Sequence, residues 1–122
     1  MSNKQAATEF LRLAATGHVR EAYDNYVHAD FRHHNAYFPG DREALMKGME
    51  ESAENLPNKE YDSLRVLEDG DLVAVHGRIR LQPGLPDMAV VHILRFADGK
   101  IIEEWEAVQQ VPEDCPNENG VF

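Results

Sequence analysis

The chain has 122 residues, of which 43% are hydrophobic, with a single cysteine and a formal net charge of −10. This size and composition are typical of one domain, spanning residues 1–122, with one hydrophobic core. The negative charge argues against binding to nucleic acid or to an anionic membrane surface, because both need clustered lysine and arginine. The sequence has no apolar stretch long enough to span a membrane and no signal-peptide core, and its lone cysteine cannot form an intramolecular disulfide. We therefore expect a cytoplasmic protein that binds neither nucleic acid nor membranes.

Apolar residues recur at helical spacing in three segments of the first half of the chain. The first predicted helix runs from Gln5 to Thr16 and stops at Gly17, and a short second helix covers residues 19–26. Asp41 is a good N-cap for a third helix, and Pro57 ends that helix.

Beyond the third helix, the apolar period changes to the alternation typical of β-strands. The sequence predicts four long antiparallel strands in two hairpins, with turns at Asp69-Gly70 and Asp98-Gly99. It also predicts a short strand before the third helix and a surface tail over residues 112–122. The five predicted strands are Phe31 to Tyr37, Lys59 to Glu68, Asp71 to Leu81, Asp87 to Phe96 and Lys100 to Val111.

This element order predicts an α+β fold. Three N-terminal helices are expected to wrap a cone-shaped, curved mixed or antiparallel sheet that encloses a pocket. A pocket removes core volume from a chain that is already small, so we expect a partner copy to add stability. The predicted homodimer is formed largely by the outer face of the strands from Lys59 to Val111. These long strands are expected to be apolar on both faces, with residues such as Val73, Val75 and Ile79.

The six histidines of the chain do not follow a familiar metal-ligand spacing. His33 and His34 are adjacent on a predicted strand, so their side chains point to opposite faces. The sequence also lacks a glycine-rich phosphate loop, a G-x-S-x-G nucleophile motif and an H-E-x-x-H motif. We therefore predict that the protein needs no metal ion and no organic cofactor.

A histidine and three glutamates stand out in the last two predicted strands. His92 lies in an otherwise apolar strand, and Glu103, Glu104 and Glu106 follow on the next strand. Because side chains alternate along a strand, Glu103 lies on one face and the other two lie on the opposite face. At least one glutamate should therefore face the interior, while solvent exposure at the rim of the sheet is expected for Glu104.

Whether the histidine meets these glutamates depends on the turn at Asp98-Gly99. A strict two-residue turn pairs His92 with Trp105, whereas a type I turn with a G1 bulge pairs His92 with Glu104. The second option gathers His92, Glu104 and Glu106 on one face. Glu106 then lies diagonally from His92, within reach of long side chains.

The last hairpin carries a recognisable pattern. Residues 96–106, FADGKIIEEWE, resemble the R-F-x-D-G-K-I-x-E-x-W-D segment of SnoaL-like proteins, which share a superfamily with nuclear transport factor 2, ketosteroid isomerase and limonene epoxide hydrolase. Residues 32–35 and 70–76 resemble the I-Q-H-N-P and G-D-x-V-A-V-H segments of one SnoaL-like branch, although Ala36 replaces the usual proline. Since the element order also matches, the resemblance covers nearly the whole chain.

The resemblance implies roles for particular residues. In the polyketide cyclases of this family, an aspartate on the last strand is the acid–base residue, and a histidine lies fourteen positions earlier. That spacing falls here on Glu106 and His92, with glutamate in place of aspartate. For Trp105, packing in the core or at a dimer interface is the alternative to a ligand contact. The candidate ligand-binding residues are His34, His76, Tyr37 and Trp105.

The resulting hypothesis is a cyclase or isomerase that removes a proton next to a carbonyl of a small apolar or carbonyl-containing molecule. Glu106 would be the base, with a pKa raised by apolar neighbours, and His92 would hydrogen-bond the developing enolate or orient the carboxylate. One alternative is a non-catalytic ligand-binding or dimerisation module, which is common on this fold. Another is an epoxide or lactone hydrolase, in which Glu104 and Glu106 activate a water molecule.

Overall fold

The structure is a computed structural model that describes all 122 residues. It contains three helices: α1 (Asn3–Ala15), α2 (Val19–Tyr26) and α3 (Arg42–Asn55). Its five strands are β1 (Val27–His33), β2 (Glu60–Asp69), β3 (Leu72–Arg80), β4 (Met88–Ala97) and β5 (Lys100–Gln110). The predicted α+β class is therefore confirmed. No helix is both long enough and apolar enough to cross a membrane.

Local signals explain where the helices begin and end. Ser2 and Gln5 form a capping box at the start of α1, which satisfies backbone N–H groups that have no partner within the helix. Gly17 follows the end of α1 with a φ of +90°, a conformation that glycine adopts without strain. At the start of α3, the side chain of Asp41 accepts a hydrogen bond of 3.1 Å from the backbone N–H of Ala44.

The five strands form one mixed sheet in the order β1-β5-β4-β3-β2. Strand β1 runs parallel to β5, and the other neighbouring strands are antiparallel. The sheet does not close, because β1 and β2 remain as its two edges. We call the side covered by the helices the inner face and the opposite side the outer face.

The core lies between the helices and the inner face. Val73 and Val75 on β3 are fully buried, and Ile79 packs against the same core. All three residues therefore lie on the inner face, and none of them forms part of the expected dimer surface on the outer face. Exposed apolar side chains are found on the outer face at other positions, such as Leu67 and Ile93.

The predicted limits of strand β1 and the predicted position of the first hairpin turn are wrong. Strand β1 begins at Val27, immediately after α2, and not at Phe31, because this edge strand pairs with β5 from its first residue onward. It ends at His33, where the chain turns back toward α3. The first hairpin turn consists of Gly70-Asp71, since the last ladder pair before the turn joins Asp69 to its partner across it. Residues 112–122 contain no helix or strand.

Candidate active site

Strands β4 and β5 carry the candidate catalytic residues, and one irregularity sets the register between them. Asp98 and Gly99 form a two-residue turn with φ angles of +53° and +75°, the positive values that a type I′ turn needs. Ala97 therefore pairs with Lys100 across the turn. Shortly afterwards Ile102 is an extra residue without a partner on β4, which makes it a β-bulge.

The bulge places His92 directly opposite Glu106. Neither predicted pairing of His92, with Trp105 or with Glu104, is correct, because the turn has two residues but the bulge shifts the rest of β5 by one position. The expected distribution between faces is confirmed: His92, Glu104 and Glu106 share the inner face, and Glu103 lies on the outer face.

These three inner-face side chains form what we call the carboxylate–imidazole cluster. Nε2 of His92 lies 3.2 Å from Oε2 of Glu106 and 3.6 Å from Oε1 of Glu104. The side chain of Glu106 is 21% exposed, whereas that of Glu104 is only 7% exposed. The expectation that Glu104 lies in solvent at the rim of the sheet is therefore wrong, and it is the most deeply buried member of the cluster.

A residue from the loop after β1 completes the contacts of the partly exposed carboxylate. Nδ2 of Asn35 donates a hydrogen bond to Oε1 of Glu106, and Oδ1 of Asn35 accepts one of 2.9 Å from the backbone N–H of Tyr37. The backbone N–H of Asn35 donates to Nδ1 of His33 at 3.1 Å. Because Nδ1 is an acceptor, His33 carries its proton on Nε2, which lies 2.7 Å from the carbonyl oxygen of Pro39. His33 thus anchors the loop that supplies Asn35.

Hydrogen bonds and charges make the central pair ionic. Burial alone raises the pKa of Glu106, but the hydrogen bond and charge of His92, together with the hydrogen bond from Asn35, outweigh it and lower that pKa. The expectation that apolar neighbours raise the Glu106 pKa is therefore wrong. Burial alone lowers the pKa of His92, but the hydrogen bond to Glu106 and the charges of Glu104 and Glu106 outweigh it and raise that pKa. Both pKa shifts favour the ionic form of the pair, in which a carboxylate lies beside an imidazolium.

Two further protonatable groups lie deeper in the interior. Burial raises the pKa of Glu104 to about 7, although the charge of His92 opposes the shift and that of Glu106 adds to it. Burial and the charges of both glutamates raise the pKa of Tyr23 on α2. The Tyr23 hydroxyl therefore stays protonated, and its oxygen lies 3.6 Å from the sulfur of Met49.

His34 and Trp105, which were expected to contact ligand, lie on the outer face and not with the cluster. Their rings stack with centroids 5.2 Å apart, and Nε2 of His34 lies 2.8 Å from Oε2 of Glu103. Arg95 approaches the Trp105 ring from β4 at 5.6 Å. Alternation explains this placement, because His34 follows the buried His33 and Trp105 lies between two inner-face glutamates.

The other two expected ligand-binding residues are also separated from the cluster. His76 follows an inner-face valine on β3, so it points outward, where its Nδ1 lies 2.9 Å from Nη1 of Arg65. Tyr37 is 89% exposed on the loop after β1. Of the six candidate site residues, His92 and Glu106 meet on the inner face, and His34 and Trp105 meet on the outer face.

Two surface grooves lie away from the cluster. One of about 670 Å³ lies between β1 and the start of α3, and another of about 560 Å³ lies beside the β4–β5 turn. Neither is lined by the carboxylate–imidazole cluster. The members of this site that reach the surface are Glu106 and Asn35, both half-buried.

The ligand atoms of His92, Glu104 and Glu106 lie within 4.8 Å of one another, close enough for a metal ion to be considered. A metal-bound histidine normally donates its second ring N–H to a neighbouring acceptor, which orients the ring. Nδ1 of His92 is buried and has no hydrogen-bond partner. This donor set therefore lacks the support of a metal site, and the absence of a metal requirement stays a prediction.

Sequence reasoning missed the role of Asn35 and misjudged Glu104. A signal existed for Asn35, because it belongs to the segment of residues 32–35 that carries the family resemblance. The signal for Glu104 was its shared face with Glu106. Its burial could not be read from the sequence, because it depends on the bulge and on the helices above the sheet.

The protein belongs to the α+β class, because three helices cover one open mixed sheet. The inner face of this sheet carries a histidine and two glutamates. The sequence profile of the SnoaL-like domain family matches residues 7–104. The chain belongs to this family. No curated protein sequence matches the chain significantly.

Solved structures show the same fold. A "putative polyketide cyclase" from Bacillus cereus is similar with a TM-score of 0.73 and 25% identity, over 85% of this chain and 72% of that one. Wild-type IdmH, "a putative polyketide cyclase" from Streptomyces antibioticus, is similar with a TM-score of 0.70 and 19% identity, over 88% and 93%. An NTF2-like protein of unknown function from Cytophaga hutchinsonii gives a TM-score of 0.70 and 15% identity, over 89% and 91%.

Proposed function

We propose that the protein is a cofactor-independent acid–base catalyst that removes and returns a proton next to a carbonyl, in a cyclase or isomerase reaction of the aldol type. The observation that carries this proposal is the partly exposed carboxylate of Glu106, held between His92 and Asn35. Membership of the SnoaL-like family and similarity to structures named as putative polyketide cyclases support the reaction class.

In the proposed reaction, Glu106 takes a proton from the carbon beside a carbonyl group, and the C–H electron pair forms an enolate. The imidazolium of His92 stabilises the developing negative charge and keeps the carboxylate oriented. The enolate carbon then attacks a second carbonyl carbon of the same molecule. A C–C bond forms, and the resulting alkoxide takes the proton back from Glu106. No other reactant is needed.

The lowered pKa of Glu106 restricts the substrate. A carboxylate with a low pKa is ionised throughout the neutral range, but it is a weak base. The proton that it removes must therefore be unusually acidic, as it is on a carbon between two carbonyl groups. A net charge of −10 disfavours anionic substrates. We infer that the substrate is a small, neutral β-dicarbonyl compound.

The test is the turnover of Glu106→Gln against a panel of β-dicarbonyl compounds, with epoxides included for the hydrolase alternative. Turnover should fall by about two orders of magnitude or more, the scale of a lost general base. Glu103→Gln is the matched control, because it changes a buried glutamate on the outer face of the same strand. A folded Glu106→Gln variant with full turnover would eliminate Glu106 as the base.

A ligand-binding module without turnover is the second candidate. It is favoured by the lowered pKa of Glu106, because a carboxylate with a low pKa is a weak base. In this case no compound of the panel is converted, and Glu106→Gln changes only the affinity for a ligand. The hydrolase alternative is less well supported, since it needs both carboxylates on one water molecule and the side chain of Glu104 is only 7% exposed.

A further inference from the structure

The cluster contains a second carboxyl group that the proposed reaction does not use. Glu104 lies on the inner face of β5, two residues before Glu106, and its side chain is almost completely buried. Its only ionic contact is with Nε2 of His92, 3.6 Å away, and that nitrogen is already 3.2 Å from Glu106. One nitrogen thus faces two carboxyl groups.

We propose that Glu104 is a positioning residue that acts through His92: by competing for the proton on Nε2, it sets how strongly Glu106 holds a proton. The electrostatic coupling stands on the geometry of the cluster alone. Its consequence for turnover rests on the proposed function.

The direction of the coupling follows from the charges. When Glu104 is ionised, its negative charge disfavours a second negative charge nearby, so Glu106 holds a proton more strongly and is a stronger base. When Glu104 is protonated, Glu106 is the only counter-ion of the imidazolium and is a weaker base. Because the cluster is buried, water screens these interactions little.

Other groups near the carboxyl group of Glu104 do not compete for the proton on Nε2 of His92 in the same way. Both ring nitrogens of His33, the residue opposite Glu104 on β1, are occupied by hydrogen bonds within its own loop. The hydroxyl of Tyr23 stays protonated, and Arg42 stacks over the Tyr23 ring at 5.5 Å. The titratable and charged groups that surround Glu104 are therefore His92 on β4, Glu106 on β5, His33 on β1, Tyr23 on α2 and Arg42 on α3.

The coupling is tested without any substrate by an NMR titration of glutamate carboxyl carbons and histidine ring nitrogens. In the wild-type chain, one glutamate should titrate near pH 7, and its signal should be lost in Glu104→Gln. In the same variant, the midpoint of His92 should move to lower pH, by about half a unit or more, because the charge of Glu104 raises the pKa of His92. The midpoint of Glu106 should change little, since Glu104 is already protonated in the acid range where Glu106 titrates. Glu104→Asp keeps an ionisable carboxyl group and should return the His92 midpoint most of the way to its wild-type value. Glu103→Gln is the control and should leave the midpoints unchanged.

The turnover experiment uses the same variants. In the wild type, kcat should rise with pH through the region near 7, because ionisation of Glu104 strengthens the base. In Glu104→Gln, kcat should be about tenfold lower with little change in KM, and this rise should disappear. Glu104→Asp should recover part of the lost kcat and part of the rise of kcat with pH.

An unchanged His92 midpoint in Glu104→Gln would overturn the coupling. A shifted His92 midpoint with an unchanged pH profile of turnover would overturn the positioning role. If the wild-type chain converts no compound, the proposed function fails, whereas a shifted His92 midpoint still supports the coupling. The two proposals can therefore fail separately.

Discussion

Glu106 is held by two donors that come from different parts of the chain. His92 contacts one carboxylate oxygen from the neighbouring strand, and Asn35 donates to the other from the loop after β1. Both contacts favour the ionised form, which explains why the pKa of Glu106 is low despite its partial burial. The pKa of Glu106 is therefore determined by its hydrogen bonds more than by the apolar residues around it.

Replacement of Asn35 should make this effect measurable. In Asn35→Ala, the pKa of Glu106 should rise, and the free energy of unfolding at pH 7 should fall by about 1.5–3 kcal/mol, the usual value for a hydrogen bond to a charged group. A lowered native pKa stabilises the fold above the ordinary value of 4.5, and this stabilisation is lost as the pH falls through the native pKa. The difference in unfolding free energy between Asn35→Ala and the wild type should therefore shrink in acid. Urea unfolding at pH 7 and at a pH below the native pKa of Glu106 measures this difference.

The control for this experiment is Tyr37→Ala, which removes an exposed side chain from the same loop and keeps the backbone N–H that orients Asn35. It should leave stability unchanged. If Asn35→Ala were equally destabilising at neutral and acid pH, the loss would come from the packing of the loop and not from the ionised Glu106.

At the scale of secondary structure, Gly77 on β3 makes room for a side chain of β2. A Cβ atom at position 77 would lie 2.6 Å from the hydroxyl oxygen of Tyr61 and 2.7 Å from the nearest ring carbon. Because Tyr61 is buried against the core, Gly77→Ala should lower the free energy of unfolding by about 1–3 kcal/mol, the usual cost of overpacking.

Urea unfolding of the double-mutant cycle with Tyr61→Leu checks the cause. In a chain that already carries Tyr61→Leu, the added methyl group has more space, so Gly77→Ala should cost clearly less. An equal cost with and without the tyrosine would show that the strand itself, and not the contact with Tyr61, disfavours alanine at this position.

A helix or strand could be predicted where the residues that determine it lie close together in the sequence. The helices were predictable because Gly17, Asp41 and Pro57 mark their limits within the sequence itself. Strand β1 was misplaced because its parallel partner, β5, comes more than sixty residues later in the chain. Ile102 follows one isoleucine and precedes two glutamates, and nothing in this local pattern marks the bulge.

The candidate site was predicted only in part, for the same reason. The spacing between His92 and Glu106 was available from the family resemblance, and the structure brings the two side chains together. The contribution of Asn35 depends on a loop that folds back across β5, and the burial of Glu104 depends on helices packed above the sheet. No pattern in the neighbouring sequence indicates the position of Asn35 or the burial of Glu104.

At the scale of the whole molecule, the two faces of the sheet differ in what covers them. Helices cover the inner face, while the outer face carries exposed apolar side chains, among them Leu67, Val91 and Ile93. A contiguous apolar surface of this kind is typical of an interface. We therefore retain the proposal of a homodimer formed by the outer face, with these residues in place of Val73 and Val75.

Light scattering combined with size-exclusion chromatography tests the dimer. The wild-type chain should have twice the mass of one chain at micromolar concentrations, where a specific interface of about 1,600 Å² holds. Ile93→Asp places a charge in the interface and should give the single-chain mass, whereas Leu85→Asp, at an exposed apolar residue of the loop before β4, should not. A wild-type chain with the mass of one copy would refute the proposal.

The bulge at Ile102 has a consequence for how such sites change in evolution. If Ile102 paired regularly with β4, every later residue of β5 would reverse its face, so that Trp105 would enter the interior and Glu104 and Glu106 would face outward. Loss of this one residue would instead preserve the ladder pairs on both sides of it. A one-residue shift of register near the last turn therefore decides which face of the sheet Glu104 and Glu106 occupy. Two chains with the same glutamates at this strand can thus differ in whether those glutamates lie beneath the helices or on the opposite face.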